Sequence, residues 1–148
     1  MSARRKAREL ALCALYAYEM SQNPVEQIKK EIITEQNDNH TIVSFANQLV
    51  DATVSHLKDL DEMIRVKALN WDFDRIAIID KIILRLSISE FLYFPDIPPK
   101  VSIDEAIEIS KKYSTEKSGK FINGILDSIL NDLRKSNRLH KKGRGLIE

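Results

Sequence analysis

The sequence predicts an all-α protein: a compact bundle of about six to seven helices forming two three-helix-type subdomains. Three observations carry that prediction. Apolar residues recur at the helical period along most of the chain. Only four Gly and four Pro occur in 148 residues, which suits long helices with short connections. The one β-branched run that reads like a strand, Ile76–Ile79, has no second strand to pair with.

The first helix is expected from the N-terminus to about Ser21. Ala7, Leu10, Ala11, Ala14, Leu15 and Tyr18 form one apolar face. Arg4, Arg5, Lys6 and Arg8 lie ahead of that face and around its side. Cations in a first turn oppose the helix dipole by roughly 0.3–1 kcal/mol each. A local rule broken this way marks a candidate functional element, and free N–H groups beside cations suit phosphate. Tyr16 shares a row with Arg5 off the core face, where an aromatic can stack on an unpaired base. The competing reading is a solvated basic end with a half-buried Tyr16. Cys13 lies beside the core face and is expected to pack there.

Asn23, Pro24 and Glu26 read as N-cap, N1 and N3 of a capping box. The second helix then follows Val25, Ile28 and Ile32 to about Gln36. After a polar turn a third helix is expected from Thr41 to about Leu69, on Ile42, Phe45, Ala46, Leu49, Thr53, Leu57, Leu60 and Ile64. His56 on it reads as a half-buried, hydrogen-bonded histidine. Asn70 to Asp74 interrupts the pattern and divides two subdomains, about 1–69 and 74–133. Trp71 and Phe73 are expected as plugs between helices, and Asp74 as the next cap.

The helix from Asp74 to about Phe94 is apolar nearly all round, so it should be central. Asp80 and Lys81 are expected on its exposed edge. Pro95, Pro98 and Pro99 stop it. Ser102–Glu105 reads as a capping box, with Val101 and Ala106 as a hydrophobic staple. That helix should end near Tyr113. The last should run from about Ser118 to Leu133, with Gly124 admitting a neighbouring helix. Lys117, Lys120 and Phe121 give a second helix start with cations and an aromatic. The basic residues 134–148 show no core pattern and are expected to form a disordered tail.

The net charge of +1 conceals an asymmetry. Residues 1–8 carry four basic and no acidic groups, residues 9–99 carry eight basic and 15 acidic, and residues 100–148 carry 11 basic and seven acidic. Basic ends suit nucleic acid, and the acidic middle suits a basic protein. No apolar run reaches the roughly 18–20 residues a membrane span needs, so no membrane association is expected. A single Cys allows no internal disulfide and points to a cytoplasmic protein. His40, His56 and His140 lack ligand spacing, and the Gly-rich phosphate-binding motifs are missing, so neither cofactor nor metal nor catalysis is expected. Acidic pairs such as Asp61-Glu62 read as solvated.

SARRKARELALCALYAYEMS, DKIILRLSISEFLYF and VSIDEAIEISKKYSTEKSGKFINGILD together resemble the NusB family of bacterial transcription antitermination factors. The likeness spans most of residues 3–133, and KFINGILD is close to the family's KFVNGVLD signature. The resemblance implies two small helical bundles and no catalysis. It implies binding of single-stranded boxA RNA from ribosomal RNA leader transcripts, together with NusE, a small-subunit ribosomal protein. The pair would act within an antitermination complex on RNA polymerase; whether the chain forms a homodimer stays open. Carried over, Arg4, Arg5 and Arg8 match the basic first helix, and Tyr16 matches only as a type. Lys81 matches a basic position of the central helix, and Gly119, Lys120 and Phe121 match the RNA-facing turn. Asp80 and the helix edge beyond it, including Glu90, match the side that meets NusE. Lys117 departs from the pattern, standing where relatives often carry an acid. It adds charge to the RNA site and is expected to raise affinity at the expense of selectivity. The alternative is a helical interaction module that docks through its acidic middle and binds no RNA. A third reading, the helical domain of a ribosomal RNA methyltransferase, lacks the nucleotide-binding βα pattern in this chain.

Overall fold

Asn39 opens the third helix by accepting two backbone N–H groups on its side-chain oxygen, from Thr41 at 3.0 Å and Ile42 at 3.2 Å. Side-chain caps at Ser2 and Thr115 open two further helices in the computed structural model, which describes residues 2–68 and 72–147. Seven α-helices and no strand occur among them: α1 Ala3–Ser21, α2 Val25–Ile28, α3 His40–Ser55, α4 Leu57–Lys67, α5 Ile78–Tyr93, α6 Pro99–Tyr113 and α7 Glu116–Lys135. Leu69, Asn70 and Trp71, with the plug role expected of Trp71, lie outside the described residues. The helices gather into two compact units, residues 1–55 and 56–148. The division falls between Ser55 and His56, upstream of the expected Asn70–Asp74 boundary.

The first unit packs α1 against α3 and against the segment between them. Ala7, Ala11, Ala14 and Leu15 are buried as expected, and Leu12 joins them. Cys13 does not: it is exposed. Gln22 ends α1 in the left-handed conformation, φ 58°, with its N–H on the Tyr18 carbonyl at 3.0 Å. The Asn23 capping box does not form; Pro24 stands at the N-cap with no side-chain bond. From Lys29 to Thr34 the helix widens to π geometry, closed by Glu35 N–H on the Lys30 carbonyl at 2.9 Å. That five-residue step buries Ile33 with Ile28, so Ile32 is only half-buried.

The expected long third helix is two helices. His56 leaves helical geometry, φ −123° and ψ 21°. Neither Gly nor Pro marks the break, and the apolar period runs through it in phase. The imidazole stacks on Tyr93 with centroids 4.0 Å apart.

The second unit packs α4, α6 and α7 around α5. Every residue from Ile82 to Phe91 is buried. Arg85 reaches Asp61 on α4, so Asp61 is not solvated. Asp74 does not cap α5, which starts at Ile78 after Ala77 with no side-chain cap; Asp72 instead caps the short 3₁₀ turn Phe73–Arg75. α6 begins at Pro99, earlier than the expected Ser102 box, because proline's fixed φ favours the first helical position. Ser102 is therefore inside the helix and donates to Glu90 Oε1 at 2.8 Å. Thr115 caps α7 by accepting from Ser118 N–H at 3.2 Å. Gly124 admits no neighbour, since a Cβ there would meet nothing within 4 Å. Beyond Ser136, Asn137 turns left-handed, and Asn137 and Arg138 N–H close on the Arg134 and Leu133 carbonyls in a Schellman motif.

The basic tail is docked rather than disordered. Lys141 Nζ donates to the Glu90 and Phe94 carbonyls, both at 2.9 Å, at the C-terminal end of α5. Lys142 N–H donates to the Pro95 carbonyl at 3.0 Å. Gly145 is buried where a Cβ would stand 1.9 Å from the Pro95 oxygen. Both carbonyls also accept a backbone N–H, Glu90 from Phe94 at 3.3 Å and Phe94 from Ile97 at 3.1 Å, so Lys141 adds a second donor to each at the end of the helix that favours a cation. That chemistry requires no apolar periodicity.

Candidate nucleic-acid interface

In the first unit the basic start of α1 divides by burial. Ser2 caps it, its Oγ accepting from Arg5 N–H at 3.1 Å. Arg4 and Lys6 are exposed and Arg5 is half-buried. Arg8 is only 3% exposed. Its guanidinium lies 5.5 Å from the Phe45 ring centroid, and that of Arg4 lies 4.7 Å from the same centroid. Arg8 thus belongs to the packing between α1 and α3, which corrects its assignment to phosphate. Tyr16 is 42% exposed, about 16 Å along the axis from Arg5 at 1.5 Å per residue. The start of α1 thus carries the exposed Arg4 and Lys6 and the half-buried Arg5, and Tyr16 keeps an exposed face further along the helix.

In the second unit the start of α7 presents Lys117 and Lys120, both exposed. With Thr115 as cap, Lys120 falls in the second turn. Phe121 is half-buried and lines a pocket of about 270 Å³ with Lys117, Ser118, Asp80 and residues 75–77. Gly119 is buried, with an added Cβ 3.5 Å from Ser110 Oγ on α6. That is ordinary van der Waals contact, so glycine is not required there, and Gly119 faces α6 while its neighbours Lys120 and Phe121 reach the surface of the turn. Lys81 is half-buried, with Nζ 4.3 Å from the Phe73 centroid, and Arg65 stands at the same distance from that ring. Phe73 is thus a platform for two cations, not a plug.

The two carboxylates expected to meet a protein partner are buried. Asp80 is 7% and Glu90 2% exposed. Asp80 Oδ2 accepts from the Ser118 hydroxyl at 2.8 Å, and Glu90 Oε1 accepts from Ser102. Helix α5 is packed on nearly every side, so it offers neither carboxylate on an exposed edge.

Arg75 and Ser118 also line the pocket beside Phe121, and the sequence does not mark either as a site residue. Arg75 sits in a single 3₁₀ turn without periodicity. Ser118 carries the weak signal of a Ser/Thr cluster, Ser114, Thr115 and Ser118, at a helix start. Among the described residues, no group of three or more His, Cys, Asp or Glu is placed to hold a metal ion. No helix among them is long and apolar enough to cross a membrane. The two helix starts offer cations and aromatic faces, and the second adds a pocket lined by Asp80 with its buried acceptor.

A model described as the NusB family matches residues 5–131. The chain is 46% identical over 146 residues to the transcription antitermination protein NusB of Chloroherpeton thalassium, covering 98% of this chain and 69% of that protein. It is 45% identical over 148 residues to the protein of the same name from Salinibacter ruber, covering 99% and 92%. In structure it is similar to T. maritima NusB, with a TM-score of 0.82, 37% identity and coverage of 89% and 93%. It is also similar to a chain of the crystal structure of antitermination factors NusB and NusE in complex with dsRNA, with a TM-score of 0.81, 28% identity and coverage of 89% and 98%. With the family model matched over most of its length and relatives close to half identical along nearly all of it, this chain belongs to the NusB family of transcription antitermination proteins.

Proposed function

We propose that this protein binds the single-stranded boxA element of ribosomal RNA leader transcripts together with NusE, without catalysis, and helps RNA polymerase avoid premature termination. The observation that carries the reading is the similarity to a chain solved with NusE and dsRNA, on a fold with exposed cations in both units, an exposed Tyr16 in the first and a half-buried Phe121 in the second. Single strands are held by cations along the phosphates and by aromatic faces under the bases. Arg4, Arg5 and Tyr16 supply these in the first unit, and Lys81, Lys117, Lys120 and Phe121 in the second. Lys117 adds a phosphate contact near Phe121, so it strengthens binding without reading sequence.

The test is a titration of a boxA-like single-stranded RNA at two salt concentrations, with and without NusE. Salt-sensitive binding that NusE strengthens is the expected result. Absence of binding in all four conditions would overturn the proposal.

A further inference from the structure

We propose that Asp80 is a specificity-determining acceptor, and that the pocket beside Phe121 takes one unstacked base presenting an exocyclic amino group. This rests on the RNA-binding reading above. The starting point is an imbalance on one buried side chain. Ser114 Oγ and Thr115 Oγ1 lie 2.9 Å and 3.1 Å from Ser118 Oγ, and Ser118 donates its single proton to Asp80 Oδ2. The cluster therefore serves one carboxylate oxygen. The other, Oδ1, is buried and has no hydrogen-bond partner. A buried acceptor left unmatched is costly, more so when it belongs to a carboxylate.

Asp80 itself lines the pocket with Arg75, Lys117 and Phe121. The Asp χ2 torsion is broad, so the carboxylate can turn one oxygen toward an incoming donor, and because each carboxylate oxygen accepts more than one hydrogen bond the Ser118 hydroxyl can rotate to follow it. The lining limits what that donor can be. A free cation would meet Arg75 and Lys117. A simple anion would meet Asp80. A nucleotide satisfies every wall, with its phosphate on Arg75 or Lys117, its ring on Phe121 and a neutral N–H donor on Asp80. Guanine fits best because its N1–H and amino group are adjacent donors. Adenine and cytosine each bring an amino group. Uracil brings one N–H between two carbonyl oxygens, which a carboxylate repels.

The experiment measures affinity for a boxA-like single-stranded RNA in which one amino group at a time is deleted, as guanine to inosine, adenine to purine, or cytosine to 2-pyrimidinone. The expected result is one position where deletion costs the wild type about tenfold or more. Asp80→Leu, of similar size and with no acceptor, should reduce that loss to within about twofold. Should Asp80→Leu not fold, Asp80→Ala, shorter and also without an acceptor, replaces it. RNA binding in which every deletion is tolerated within about twofold would overturn the inference and leave the RNA reading standing. So would a loss that persists in the Asp80 variant. Absence of RNA binding altogether would overturn both.

Discussion

Arg85 holds Asp61 through two parallel hydrogen bonds, Nε to Oδ1 at 2.7 Å and the terminal nitrogen to Oδ2 at 3.0 Å. The side chains are 7% and 14% exposed, so the pair joins α5 to α4 largely away from water. Removing one partner of a buried pair strands the other's charge. Arg85→Ala should destabilise the protein by about 3 kcal/mol or more, read as a lower denaturant midpoint at unchanged slope. Replacing both residues with apolar ones of similar size should recover much of that loss.

Phe121 is half-buried at the rim of a pocket rather than in the core. Phe121→Ala should weaken RNA binding by about 1–3 kcal/mol through lost stacking, with the melting temperature close to wild type. A collapse in stability with unchanged affinity would return Phe121 to the core.

The arginines of α1 should separate in experiment. Arg4→Ala and Arg5→Ala should each flatten the salt dependence of RNA binding by about 0.7 in log–log slope per lost phosphate contact. Arg8→Ala should instead lower stability, by about 2 kcal/mol for a desolvated cation over a ring, and leave the slope unchanged. Paired melts and salt titrations on the three variants distinguish the two behaviours.

Burial pulls the Lys141 ammonium down from its ordinary 10.5 to about 8, against the opposing pull of Glu90 and Asp96. Between those values the unfolded chain binds a proton that the docked side chain does not. By linkage, stability then rises with pH across this window and is lower beneath it. The neutral amine keeps two N–H donors, enough for both the Glu90 and Phe94 carbonyls. Amide exchange at Lys142 and Gly145, corrected for intrinsic rate, should show protection increasing from pH 8 to 10. Protection that falls over the same range would contradict this account of Lys141.

Gly145→Ala should undock the tail. The new Cβ would be 1.9 Å from a backbone oxygen and 2.9 Å from its carbon, which no side-chain rotation can relieve. Loss of protection at Lys142, with the amides of Ile82 to Phe91 still protected, is the expected exchange pattern.

How much could be read from the sequence depended on whether a local pattern carried the information. The apolar faces of α1 and α3 and the all-round apolar α5 follow from side-chain spacing, and the motifs near Arg5, Lys81 and Lys120 sufficed to indicate the family. Helix starts were harder. Asn23, Asp74 and Ser102 all have capping chemistry, yet Pro24, Ala77 and Pro98 occupy the N-caps, because packing and proline geometry outweigh about 1 kcal/mol of capping.

By itself the sequence determined the all-α class, most helical faces and the family, since these depend on residue order and period. The tertiary structure alone decided which charges reach water. Arg8 and Glu90 look like surface residues by type, but the neighbours that cover them lie far away along the chain. It also decided the break at His56, across which the apolar period never falters, and the docking of Lys141 on α5. Those outcomes depend on backbone carbonyls and ring faces brought together only by folding, and no spacing rule encodes them.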